Sequence, residues 1–227
     1  MKHKLLENCP KFYYINMNRS SDRKERMEKM FEDLELSYER VVAIDGNKII
    51  QKEPRLSQYE EATTLSHLRA IETFYKSGEE YGIICEDDMS LEFLPLWKKS
   101  ITDVINEAPK DWQILELGYI IWPHNYPYLT KLYTPFIPII FNSAIAYLIK
   151  RSTAEIILSK HSVGQPNLDK YLKIRPVADV LIFDIVKTYT YKYSLFTYPD
   201  NNTSTIHNNH LDFHIQSKVE ARKMFDK

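Results

Sequence analysis

Three acids in a row follow an apolar run in this chain, where Ile83-Ile84-Cys85 leads directly into Glu86-Asp87-Asp88. Crowding carboxylates together costs energy, because like charges repel and raise one another's pKa. A bound Mg²⁺ or Mn²⁺ removes that cost, and hard oxygen ligands suit either ion. Such a cation can bridge a diphosphate and stabilise the charge that develops as a nucleotide leaves. The bland alternative is a solvated acidic turn, and the motif by itself weighs the two about equally.

Two further stretches could meet a phosphate-bearing ligand. Ile15-Asn16-Met17-Asn18-Arg19-Ser20-Ser21-Asp22-Arg23 gathers short polar residues and two arginines where a strand gives way to a helix. Backbone N–H groups and guanidinium forks there can hold a base, ribose or phosphate; an ordinary helix cap with solvated arginines is the competing reading, and the weightier one for this stretch alone. Ala43-Ile44-Asp45-Gly46 sets a carboxylate, suited to ribose hydroxyls, before a glycine that permits a tight turn. A plain turn explains it as well. Leu65-Ser66-His67 lies inside a predicted helix, where a histidine is more often structural than catalytic.

The elements that must position these residues alternate. Lys11–Met17, Glu39–Asp45, Tyr81–Glu86 and Trp112–Leu117 read as strands rich in aromatic and β-branched types. Between them, Ser20–Leu36 carries Met27, Met30, Phe31 and Leu34 on one helical face, with Asp22 and Glu25 as a possible capping box. Residues 62–76 form a second helix closed by Gly78, and Pro95 opens a third bearing Trp97, Ile101, Val104 and Ile105. Tyr119–Pro138 reads as a loop with several aromatics, Ser143–Ile149 as a strand and Ser152–Ser159 as a helix. Val177–Tyr189 shows a helical apolar face, Tyr193–Thr197 reads as a strand, and the stretch from His210 on is polar and weakly amphipathic. The expectation is a single α/β domain over 1–210 with a tail or helix over 211–227, its mainly parallel central sheet flanked by helices. Ligands in such folds bind at the C-terminal edge of the strands.

Composition narrows the function classes. The chain has 227 residues, 44% of them hydrophobic, and a formal net charge of −1. That size and balance support a sizeable core and give no broad attraction to nucleic acid or anionic membrane. Its five glycines trace neither GxGxxG nor GxxxxGK[ST], so no dinucleotide fingerprint or P-loop is present. Two cysteines, Cys9 and Cys85, make no CxxC, which argues against a disulfide framework or zinc site and suits a reducing, cytoplasmic compartment. Tyr133–Ile149, the most apolar stretch, is broken by Pro135, Pro138 and Asn142, and no integral membrane segment is expected.

Taken in order, INMNRSSDR, AIDG, TTLSH and CEDD resemble the motif series of glycosyltransferase family 25, which contains lipooligosaccharide and collagen hydroxylysine galactosyltransferases. SAIAYLIKRSTAEIIL at 143–158, Pro176-Val177-Ala178-Asp179 and Asn202-Thr203-Ser204-Thr205-Ile206 are similar to its later segments, so the resemblance spans roughly residues 11–207. A threonine, Thr63 or Thr64, stands where the family has a cysteine before Ser-His, and Ser152 or Thr153 where it has a small glycine. Neither departure removes a charge or a metal ligand.

The resemblance implies a GT-A-type fold, a UDP-sugar donor with galactose favoured, and transfer with inversion to a hydroxyl of a glycan, lipid-linked glycan or protein acceptor. It implies Mn²⁺ or Mg²⁺ on Glu86 and Asp88, with Asp87 turned toward sugar or ribose hydroxyls. His207 is a candidate third metal ligand, against its reading as an exposed loop histidine. Asn16, Arg19, Arg23, Asp45, Gly46, Ser66 and His67 would surround the nucleotide. Inversion needs a base for the acceptor hydroxyl, and Asp179 is nominated, on a par with its reading as a helix cap; Asp184 is a lesser alternative. The aromatics around Trp122, Tyr126 and Tyr128 are candidates to stack on an acceptor sugar. The principal rival is a non-catalytic nucleotide-sugar-binding protein on the same fold. Any membrane association would be peripheral.

Overall fold

The computed structural model describes residues 3–138, 140–163, 165–166, 175–199 and 211–226. Its centre is a seven-stranded sheet in the order β2-β1-β3-β6-β4-β9-β5. The strands are β1 (Lys11–Asn16), β2 (Tyr38–Val42), β3 (Tyr81–Glu86), β4 (Ile114–Ile120), β5 (Tyr133–Pro135), β6 (Asn142–Lys150) and β9 (Thr188–Tyr191). A two-residue ladder, β7 (His161–Ser162) with β8 (Gln165–Pro166), stands apart. β1 pairs in parallel with β2 and β3, and β4 with β9. β6 runs antiparallel to both β3 and β4, and β5 antiparallel to β9. Five strands therefore share one direction in a mixed sheet.

Helices cover both faces because the central strands bury both of their own, as β1, β3 and β4 do. Phe12 and Tyr14 of β1 point into one apolar cluster with Met27 and Phe31 of α1 (Ser21–Asp33). Ile101 and Val104 of α3 (Ile101–Glu107) and Ala221 of α6 (Leu211–Lys223) join the same cluster. Tyr13 and Ile15 point the other way, onto Leu68, Ile71 and Phe74 of α2 (Gln58–Ser77), with α4 (Arg151–Lys160) and α5 (Ala178–Phe183) alongside. Each such large side chain, fully buried, contributes about 1.5–3 kcal/mol.

The strand periods read from sequence fall close to their observed places, and Tyr81–Glu86 matches β3 residue for residue. Helix starts differ more. The Asp22–Glu25 capping box does not form; Ser20 is the N-cap of α1 without a side-chain cap bond. Its carbonyl instead accepts from Asn16 Nδ2, and its N–H bonds to the Met17 carbonyl, so this terminus is organised by the end of β1. Capping boxes form at Ser57–Glu60, which starts α2 ahead of the expected residue 62, and at Ser100–Asp103. Pro95 opens only the 3₁₀ turn Leu94–Leu96, and α3 begins afresh at Ile101.

The region after residue 176 departs most from expectation. The expected helical stretch stops at Phe183, and Thr188–Tyr191 becomes a strand, as alternating threonine and tyrosine favour. Tyr193–Thr197 forms no ladder; Leu195 and Phe196 donate to the Leu117 carbonyl, and Thr197 makes an isolated bridge to Ser90. The polar stretch after 210 is the helix α6. Its Ser217 hydroxyl accepts from the Ile121 N–H at 3.0 Å and its carbonyl accepts from the Tyr126 hydroxyl at 2.6 Å. Neither Cys85, which is buried, nor Cys9 is in a disulfide. Among the described residues no helix is long and apolar enough to cross a membrane.

Gly118 marks the irregular point of β4, where the register to β6 shifts on either side of it. A Cβ there would lie 2.7 Å from Ile145 Cγ2 and 3.0 Å from the Phe196 carbonyl oxygen. Gly118→Ala is expected to destabilise the fold by about 1–3 kcal/mol, as overpacking does, read as a lower urea midpoint. An unchanged midpoint would mean the strand end yields freely.

Candidate active site

The C-terminal ends of β1, β2 and β3 lie side by side, and β6, running the opposite way, brings its N-terminal end to the same edge. A cleft of about 890 Å³, counting the space open to solvent, lies at this edge. Its enclosed part is about 160 Å³, so it is an open cleft rather than a closed pocket. Arg19, Ser20 and Arg23 line it from the start of α1, Gly46 from beyond β2, Ser66 and His67 from α2, and Glu86, Asp87 and Asp88 from the end of β3. Segments far apart in sequence thus converge on one cavity.

Asp87 is the inner tie of this cavity. Only 7% exposed, it accepts from Asn16 Nδ2 on one oxygen at 2.7 Å and from an Arg23 guanidinium nitrogen on the other at 2.8 Å. Its main-chain carbonyl accepts from Arg26 at 2.6 Å. Asn16 is held in turn by Arg40, whose Nε donates to Asn16 Oδ1 at 2.9 Å. Asn16 and Asp87 are bonded to one another and Asp87 also to Arg23, while Asp87 lines the cleft. Burial works against the Arg23 charge, but the hydrogen bond to Asp87 and the nearby charges of Asp88, Asp87 and Glu86 outweigh it and raise its pKa. The arginine supplies part of the positive charge that the three acids need.

Arg19, which lines the cleft, and Asp45, each expected to meet the nucleotide, are salt-bridged at 2.7 Å. That contact, together with the Asn47 N–H, holds the Asp45 carboxyl below the usual carboxylate range. Gly46 is close-packed on α2, since a Cβ would come within 2.6 Å of the Tyr59 ring and 3.2 Å of its Cα. Ser66 accepts from the Ile44 N–H at 2.8 Å, pinning the β2 exit to the helix. His67 is fully buried, with Nε2 3.3 Å from Glu86 Oε1 and Nδ1 3.3 Å from the Tyr147 hydroxyl.

Glu86 stays partly open, with 32% of its side chain exposed. Asp88 lies 3.9 Å from Arg23. Among the described residues no three His, Cys, Asp or Glu side chains form a metal-binding group. Mg²⁺-like ions are often held by one or two carboxylates, with waters and substrate phosphates completing the shell. Glu86 and Asp88, both lining the cleft, fit that pattern. His207 lies outside the described residues.

Asp179 does not line the cleft. It sits in the first turn of α5 and accepts the Ser143 N–H at 2.8 Å, at the start of β6 and so at the same sheet edge. Ser143 has φ 117°, a strained value for a non-glycine residue. Burial raises the Asp179 pKa against the opposing Ser143 hydrogen bond. Sequence reasoning missed Arg26, Arg40 and Tyr147; their partners lie far along the chain, where no local motif signals them. Of the candidate acceptor aromatics, Tyr126 is buried, whereas Trp122 and Tyr128 are exposed.

A family model described as Glycosyltransferase family 25 (LPS biosynthesis protein) matches residues 9–139, and the chain belongs to that family. It is a glycosyltransferase. No curated protein matches it. Among solved structures it is similar to a glycosyltransferase involved in the glycosylation of the major capsid of PBCV-1, at 10% identity over 96% of this chain and 100% of that one, with a TM-score of 0.46. It is also similar to the nucleoside-diphosphate-sugar pyrophosphorylase from Vibrio cholerae RC9, at 12% identity over 82% and 74%, with a TM-score of 0.39. Likenesses this distant carry no weight on substrate or mechanism.

The site geometry separates two neighbouring acids. Asp87→Ala is expected to cost about 3 kcal/mol, because Arg23 and Asn16 lose their shared acceptor. Asp88→Ala should cost less, because Asp88 approaches Arg23 only to 3.9 Å, against 2.8 Å for Asp87. Urea unfolding of both variants measures the order, and the reverse order would remove Asp87 as the tie.

Proposed function

We propose that the chain transfers a sugar, galactose first among the candidates, from a UDP-sugar to a hydroxyl of a glycan, lipid-linked glycan or protein, with inversion. The observation that carries this reading is the single cleft shared by Glu86 and Asp88, the Arg19 and Arg23 guanidinium groups and the start of α1. Two arginines and a helix N-terminus suit an anionic diphosphate, and Gly46 leaves the β2 exit close to the cavity wall. Glu86 and Asp88 are the proposed holders of Mn²⁺ or Mg²⁺, with His207 as the proposed third ligand. When bound, the cation would offset charge on the departing diphosphate.

The chain's own residues supply the rest. The Asn16–Asp87–Arg23 network fixes the floor, so the donor would meet groups already oriented. Asp179 is the proposed base for the acceptor hydroxyl. Burial lifts its pKa toward the working range of a base, and its bond to Ser143 keeps it at the cleft's edge of the sheet. Trp122, 47% exposed just beyond the end of β4, stands at that same edge as a stacking surface for an acceptor sugar.

Thermal-shift measurements against UDP-sugars, with and without Mn²⁺, test donor and metal together through linkage. Stabilisation by UDP-galactose that requires Mn²⁺ is the expected result, and Asp88→Ala should abolish both it and transfer. Asp179→Asn keeps an oxygen for the Ser143 N–H but cannot take a proton. It should therefore fold and bind donor normally while transfer falls roughly 10²- to 10⁴-fold. Full turnover in Asp179→Asn would leave that carboxylate with only its structural bond.

A further inference from the structure

His67 and Tyr147 form a buried polar line that ends on Glu86. Tyr147 lies in the middle of β6, where it pairs across the sheet with Ile84 of β3 and Glu116 of β4. Its ring stacks on His67 at 5.9 Å and meets the Phe183 ring edge-on at 5.1 Å, and its hydroxyl reaches His67 Nδ1 at 3.3 Å. On its other side His67 presents Nε2 to Glu86 Oε1, also at 3.3 Å. Both rings are fully buried.

The direction of these bonds follows from the phenol. Burial pushes the Tyr147 hydroxyl well above its ordinary pKa, so it keeps its proton. A buried O–H that donates to nothing carries a desolvation cost of about 1–3 kcal/mol, and His67 Nδ1 is the acceptor it faces. With Nδ1 accepting, a neutral imidazole carries its proton on Nε2. That N–H then points at Glu86 Oε1.

We propose that Tyr147 is a positioning residue: by donating to Nδ1 it fixes His67 as the Nε2–H tautomer, and His67 holds Glu86 by one oxygen so that the other faces the cleft. This rests on the reading of Glu86 as a ligand to the cation of the donor complex. Ligating carboxylates are commonly oriented by such outer partners, and losing one typically weakens metal affinity 10- to 100-fold. The device is invisible in the sequence because Tyr147 lies far along the chain from both of its partners.

The tautomer is measurable without metal, donor or turnover. In protein labelled with ¹⁵N-histidine at pH 8, long-range ¹H–¹⁵N spectra distinguish the two ring nitrogens, and the His67 signals are assigned by their loss in His67→Asn. Wild-type protein should show His67 with its proton on Nε2, and Tyr147→Phe should move both nitrogen shifts toward a mixture. A proton on Nδ1 in wild type, or unchanged shifts in Tyr147→Phe, overturns the proposal, and the wild-type result stands even if the variant folds poorly. Titration calorimetry with Mn²⁺ and UDP then supplies the second arm. Tyr147→Phe should weaken binding about 10-fold and Glu86→Gln at least as much. Weakening in Glu86→Gln alone overturns the positioning role of Tyr147. No weakening in Glu86→Gln overturns the metal reading instead, and the tautomer result separates that failure from the first.

Discussion

A single carboxylate, Asp87, ties together the three segments on which the cleft depends. Its side chain joins the end of β1 through Asn16 and the first turns of α1 through Arg23, while its carbonyl takes up Arg26. Arg40 extends the same network to β2. Buried charges are tolerable only where paired and hydrogen-bonded, and this one is bonded on both oxygens. Of its neighbours in sequence, Glu86 turns to His67 at 3.3 Å, and Asp88 approaches Arg23 at 3.9 Å. An acidic triplet that looks uniform in sequence thus divides its labour, because the strand ends at Glu86 and the chain turns at Asp87-Asp88, where the Met89 N–H bonds back to the Glu86 carbonyl.

Much of this was legible beforehand. The end of β3 at Glu86, the convergence of the four motifs on one sheet edge, and the α/β layering all follow from apolar period and from the rule that such sheets bind at their strand ends. The family resemblance agrees with the match over residues 9–139. What stayed hidden was pairing. Arg19 and Asp45 each look like ligand contacts in sequence, and only the packing of β1 against β2 reveals that they bridge one another. Crowded acids seemed to demand a cation, yet Arg23 meets part of that demand from within the chain. Glu60 and Glu61 look like surface acids on α2 but are buried, one closing the capping box and pairing with Arg175, the other accepting the Lys52 and Glu53 N–H groups.

The second half resisted reading for a different reason. Between β4 and β6 the chain turns back at the same edge, so β6 enters between β3 and β4 against their direction. Alternation of strand and helix predicts parallel neighbours, and nothing local announces the reversal. It matters for the site, because an antiparallel β6 delivers Ser143 to the cleft's edge of the sheet while Tyr147 sits deeper, behind His67. A parallel strand in that slot would present its opposite end there.

The bonding of Ser217 has a practical corollary for anyone reshaping this protein. One serine satisfies the Ile121 amide with its hydroxyl and the buried Tyr126 phenol with its carbonyl, and the same helix lays Phe213 against Trp122 at 4.1 Å. Helix α6 and the segment leaving β4 are therefore one mechanical unit. Grafting a new acceptor-facing loop from another enzyme would have to bring its matching helix along, or strand two polar groups in a dry interior.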